Sequence, residues 1–172
     1  MSSELPLHPA IVHLPIGISF LLPIISAWVF IVYKKTNGSK LILSVITFLH
    51  LMLVATTYLA IESGEEQKEK VEKVVEENHI DHHEERAEIL LPVSLLALVI
   101  SIILFFPQIK GWILAVIVLF VLQISILIIA IRIGESGGEL VYQHGAASAY
   151  EEVLPEKLPT SSPPEEPPDN GN

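Results

Sequence analysis

Leu7-His8-Pro9-Ala10-Ile11-Val12-His13-Leu14-Pro15-Ile16-Gly17 opens an apolar run that continues to residue 33, long enough to cross a bilayer. Two histidines and two prolines stand at its mouth. Histidine is costly inside lipid and titrates near neutrality at its edge, so the pair calls for partners elsewhere in the chain.

Working outward, three more runs have spanning length, so the set is roughly 10–33, 41–61, 88–106 and 112–131. The third is the shortest, with uninterrupted apolar residues only from Ile89 to Phe106. A chain of 172 residues that is 51% hydrophobic, with mean hydropathy +0.54, is more apolar than an ordinary soluble domain. These features predict an all-α fold, an integral membrane four-helix bundle lying in the lipid bilayer. Pro23 and Pro92 fall inside the first and third helices, where neighbouring helices must satisfy the carbonyls they free.

Lys34, Lys35 and Lys40 lie in the first short connection and Lys110 in the last, with no acid in either. The positive-inside rule puts those loops in the cytoplasm and both termini on the outer side. The expected location is the bacterial cytoplasmic (inner) membrane, as a multi-pass protein. With no Lys or Arg ahead of it and no small-residue cleavage site after it, the first run reads as a retained helix and not a signal peptide.

The connection at 65–88 is rich in helix formers, pairs Glu66 with Lys70 and Glu69 with Lys73, and carries Val71, Val74 and Val75 as an apolar stripe. It predicts an outer, charged helix running straight into the third span. After the fourth span, Gly137-Gly138 allows a sharp turn or a close backbone approach, Leu140-Val141-Tyr142 can pack back, and His144 returns toward the outer face. The expected domain is 1–150. The remainder, 151–172, is a Pro- and Glu-rich tail with almost nothing to bury, expected to be disordered. No internal repeat is visible along the chain.

Several functions are excluded by composition. A net charge of −10 leaves no basic face for nucleic acid. With no cysteine, thiolate metal sites, iron–sulfur clusters and covalently attached haem are ruled out. No nucleophile with a positioned base and no phosphate loop is present, so independent catalysis has little support.

The seven histidines are His8, His13, His50, His79, His82, His83 and His144. All except His50 fall at or just beyond the outer membrane boundary, although they come from three regions of sequence. Three chemistries use such a layer. Haem b takes a neutral imidazole on each face of its iron, so four histidines would serve two haems. A non-haem metal could use the His82-His83-Glu84-Glu85 neighbourhood with His79 and Asp81. A quinol site would use a histidine to exchange protons. His8 and His13 are five residues apart, about 140° around a helix, so they should serve different metal ions, or one should serve none. Arg86 and Arg132 can meet carboxylates, whether haem propionates or glutamates. His50, near mid-membrane, should hydrogen-bond with Gln123.

The opening His8-Pro9-x-x-Val12-His13-x-Pro15-Ile16 and the closing Gly137-Gly138-Glu139-Leu140-Val141-Tyr142-x-His144-Gly145 together resemble the bacterial membrane family catalogued as domain of unknown function 2231. His83-Glu84-x-x-Ala87 resembles that family's third histidine block, and the similarity spans about residues 5–148. The resemblance implies a four-helix membrane protein, in some relatives joined to Rieske or cytochrome c modules, with no established activity. It selects His8, His13, His83 and His144, while Glu135 stands where a further histidine occurs in some relatives.

The leading expectation is a membrane b-type cytochrome. It would bind one or two haems through His8, His13, His83 and His144, with Arg86 and Arg132 nearby, and pass electrons between quinol (quinone being the second expected cofactor) and an external carrier or partner subunit. A non-haem metal-binding or sensing module is the alternative, followed by a structural subunit of a redox complex. A redox partner protein is expected, and oligomerisation is compatible with the sequence.

Overall fold

The computed structural model describes residues 7–36, 39–108 and 110–150. Among them every regular element is helical. A single turn, α1 (His8–Ile11), leads into α2 (His13–Lys35), and α3 (Lys40–Val71), α4 (Glu77–Ile103) and α5 (Trp112–Tyr142) follow. A 3-10 turn covers Ala146–Tyr150. The tail at 151–172 lies outside the described residues.

The helices α2 to α5 are each long and apolar enough to cross a membrane. They close into a ring in chain order: α2 packs on α3 and α5, and α4 packs on the same two, while the backbones of the diagonal pairs stay apart. Leu22, Val29, Leu43, Leu53, Leu119 and Ile126 fill the centre. Phe20, Ile24, Trp28, Ile117 and Ile128 point outward, as expected where lipid is the solvent.

Lipid gives apolar side chains no reason to leave it, so helices in a membrane associate through close packing and hydrogen bonds. The buried faces accordingly carry small residues, Ser19, Ser26, Ala60, Ser94, Ala97, Ser101 and Ala130. The Ser19 hydroxyl donates to Pro15 O at 2.7 Å and that of Ser101 to Leu98 O at 2.7 Å, which satisfies both within their own helices. Midway down, Gln123 Nε2 donates to Ser26 Oγ at 2.7 Å and lies 3.4 Å from His50 Nε2, the partnership expected from the sequence. One turn nearer the histidine end, Leu22, Leu53, Ala97 and Ile126 are all completely buried.

At 1.5 Å per residue the 32 residues of α3 extend about 48 Å, well beyond the roughly 30 Å hydrocarbon core of a bilayer. The excess is at one end, where 62–88 and 134–150 carry most of the charge. That end projects beyond the membrane-spanning segments. The opposite end is closed by aromatics, with Trp112 stacked on Tyr33 at 5.6 Å and donating from Nε1 to Leu104 O at 3.0 Å. Such residues favour a membrane–water boundary.

Two expectations are corrected at the charged end. The stretch 65–88 is not one helix: α3 ends at Val71 and α4 begins at Glu77. Between them Val75 turns inward to pack with Ile80 and Ala146, against Val71 and Leu140, so burial of that stripe breaks the helix. The fourth long helix does not end near residue 131 but continues through Gly137-Gly138 to Tyr142. The chain turns instead at Gly145, whose φ of 74° suits glycine. Of the two uses open to the glycine pair, close approach is the one seen.

Candidate functional site: two imidazoles at the charged end

An apolar cavity of about 670 Å³ opens among the four helices at the charged end. Val12, Ile16, Ile61, Leu90 and Ile133 form its walls, and Ala146, Ala147 and Tyr150 form part of its cover. His8 and His83 both line it. They come from opposite corners of the ring, and their rings meet edge to face with centroids 6.4 Å apart and planes at 89°.

Each imidazole is held by the neighbouring helix in the same way. His8 Nδ1 is 2.9 Å from Ala60 O and 3.0 Å from Ser63 Oγ. A carbonyl only accepts, so Nδ1 carries the proton and Nε2 keeps its lone pair. His83 Nδ1 is 2.9 Å from Ser136 Oγ, whose own proton goes to Ile133 O at 3.1 Å. Ser136 therefore accepts from His83 Nδ1–H, and Nε2 again keeps the lone pair.

Glycines make these approaches possible. A Cβ on Gly64 would stand 3.2 Å from His8 Cε1, and one on Gly137 would stand 3.2 Å from His83 Cε1. Both serine–glycine pairs are thus shaped to the flat edge of an imidazole.

Both histidines lie beyond the membrane-spanning segments, and burial favours their neutral forms. Loss of water lowers the basicity of His8, against the Ala60 carbonyl, which raises it. For His83, burial together with the nearby His8 and Arg86 pushes the pKa down to about 4. Two neutral imidazoles, both with Nε2 unprotonated, form a pair of metal-ligating or hydrogen-bond-accepting groups.

The other candidate residues are placed elsewhere. His13 is exposed and lines neither this cavity nor the cleft beside it, as the angle between it and His8 anticipated. His144 stacks on His79, with centroids 3.7 Å apart and planes at 21°. The two belong to a cleft of about 140 Å³ that also holds His82, Arg86, Ser136 and Glu139. Arg132 pairs with Glu135 at 3.1 Å. Among the described residues, no group of three or more His, Asp and Glu side chains is arranged to hold a metal ion.

Three residues not singled out in the sequence matter to the site. Lys68 lines the cavity and bridges to Glu84 at 2.6 Å and Asp81 at 3.3 Å, tying α3 to α4. Those carboxylates raise the basicity of its amine. Gln67, with its amide turned to suit all its neighbours, accepts from Leu7 N at 3.1 Å and His8 N at 3.2 Å and donates to the Tyr150 hydroxyl at 3.0 Å. It satisfies two otherwise orphaned donors where the first helical turn begins and links them to the cover. Ser136 holds His83, and a serine inside an apolar helix has no distinctive signal in sequence.

No protein-family model, curated protein or solved structure matches the chain.

Proposed function

We propose that the protein is a membrane b-type cytochrome that would hold one haem in the cavity at the charged end through His8 and His83. The supporting observation is the pair of neighbouring imidazoles, each with Nδ1 engaged and Nε2 bare, in an apolar cavity. Two imidazoles are an incomplete set for a free ion, which generally takes four or more ligands, but would suffice for the iron of haem, whose porphyrin supplies the remaining donors.

When bound, haem supplies one-electron chemistry. The chain's own residues supply the rest. His8 and His83 fix the position of the ligand, and the Nδ1 bonds to Ala60, Ser63 and Ser136 set the orientation and basicity of the imidazoles. The apolar walls exclude water, and Lys68, already paired with Glu84 and Asp81, is the cation on the cavity lining that a haem carboxylate would meet. The reading leaves His13 and His144 as non-ligands and reduces the expected one or two haems to one. Electrons would pass between membrane quinol and an external carrier or partner subunit at the outer face of the cytoplasmic membrane. Membership of the family named above is part of the same proposal.

A reduced-minus-oxidised absorption spectrum of the purified protein, expressed with adequate haem, tests this. One haem per chain is expected, lost in His8→Ala and His83→Ala and kept in His13→Ala and His144→Ala. Absence of haem absorbance refutes the proposal. Zinc, copper or iron found by elemental analysis without porphyrin would favour the metal-binding alternative.

A further inference from the structure

No repeat is visible along the sequence, but the buried faces of the helices contain one. Five of the six buried residues of α2 have a buried counterpart 75 places later, on α4 or at its cap. Ser19 corresponds to Ser94 and Ser26 to Ser101, and His8 itself corresponds to His83 at the same spacing. All six buried residues of α5 lie 73 places after a buried residue of α3. In that register Glu62-Ser63-Gly64 falls on Glu135-Ser136-Gly137, and His50 falls on Gln123, its own hydrogen-bonding neighbour. The outward faces share almost nothing, and this hides the repeat in the sequence.

Both halves run the same way, down one helix from the charged end and back up the next. The ring packing, α2 on α3, α3 on α4, α4 on α5 and α5 on α2, suits a half-turn about the bundle axis. We infer that the chain is a tandem duplication of one helical hairpin, that its two-fold axis passes between His8 and His83, and that Ser63 and Ser136 occupy equivalent positions, Ser136 alone holding His83 with Nε2 unprotonated while Ser63 shares that task at His8 with the Ala60 carbonyl. This deepens the haem proposal, on which its functional meaning rests, but the tautomers are a property of the protein alone.

The equivalence is broken at one place, and the break can be measured. His8 Nδ1 has two acceptors, Ala60 O and Ser63 Oγ, whereas His83 Nδ1 has Ser136 Oγ alone. Removing the Ser63 hydroxyl leaves the His8 proton a carbonyl to bond. Removing the Ser136 hydroxyl leaves the His83 proton without a partner. The two halves therefore make the same contact with unequal redundancy.

The test is nitrogen-detected magnetic resonance of histidine-labelled, haem-free protein in detergent micelles, with each ring assigned by its His→Gln variant. In the parent protein His8 and His83 are both expected as the Nδ1–H tautomer. Ser136→Ala should convert His83 to a mixture of tautomers or to Nε2–H, Ser136→Thr should restore the parent signal, and Ser63→Ala should leave His8 unchanged. Helical content and melting temperature of each variant separate a loss of positioning from a loss of fold, and Ser136→Thr gives the readout if Ser136→Ala does not fold. Different tautomers at His8 and His83 in the parent, or an unmoved His83 in a folded Ser136→Ala, would overturn the inference. A protein that passes this test yet binds no haem would refute only the cytochrome reading.

Discussion

Gly137→Ala separates the stability of the bundle from the fitness of its site. The added Cβ would stand 3.2 Å from His83 Cε1, a few tenths of an ångström inside ordinary contact, so the imidazole must shift away from α5. Its Nδ1 bond to Ser136, at 2.9 Å, is then lengthened or lost. A lost hydrogen bond of this kind costs about 1 kcal/mol. Against that, Gly137 is inside α5, and alanine is favoured over glycine in a helix interior by about 0.8–1.0 kcal/mol. The two effects offset, so the melting temperature of the haem-free protein should hardly change. Haem affinity has no such compensation: disturbing the partner of a metal-ligating histidine typically costs about 10–100-fold, or roughly 1.4–2.7 kcal/mol. Haem titration of the detergent-solubilised variant, followed by absorbance beside a thermal melt, gives both numbers. Unchanged haem affinity would refute the reasoning, as would a loss of affinity matched by an equal loss of stability.

Three further outcomes follow from the same geometry. Acidification between about pH 6.5 and 4 should weaken the fold, because the unfolded chain, with an ordinary histidine, binds a proton that His83 refuses until about pH 4. Stability is complete above the ordinary value and lost as pH falls toward the folded one, so melts across this range should flatten in His83→Gln. Gln123→Leu strands the His50 and Ser26 polar atoms in the core and should cost about 1–2 kcal/mol by denaturant titration in micelles, with no effect on the haem spectrum. Lys68→Ala breaks a half-exposed ion pair and should change stability by less than about 1 kcal/mol, yet weaken binding of an anionic porphyrin relative to its ester.

The sequence made the four spans legible because helix length and hydropathy carry that information residue by residue. His8 and His83 were also within reach, since each sits at the mouth of a span. Which histidines would meet was not legible. His13 and His144 have the same credentials in sequence, and they are separated from the cavity by rotation about α2 and by the extra turns of α5. Reading Gly137-Gly138 as a turn is reasonable from composition, but glycine serves equally where another side chain lies flat on a helix, as His83 does. The break at residues 72–76 depends on Val75 finding Ile80 and Ala146, a contact across 71 residues that no local propensity encodes. The duplication escaped notice for a related reason: lipid-facing positions drift freely among apolar residues, so only the inward serines, the glycines and the histidines retain it.

Leu22, Leu53, Ala97 and Ile126 close the bundle between the imidazole pair and the His50–Gln123 layer, and none is reached by solvent. Such a plug is an electrical boundary as well as a packed layer. The drop in membrane potential falls across the dry part of the protein below the site, while the site itself stays near the potential of the compartment it faces. Moving a full charge across the membrane would be worth about 2.3 kcal/mol per 100 mV, but in the proposed cytochrome an electron reaching His8 and His83 from that same side would cross little of the field. Electron exchange there would proceed at nearly the same driving force whether the membrane is energised or not.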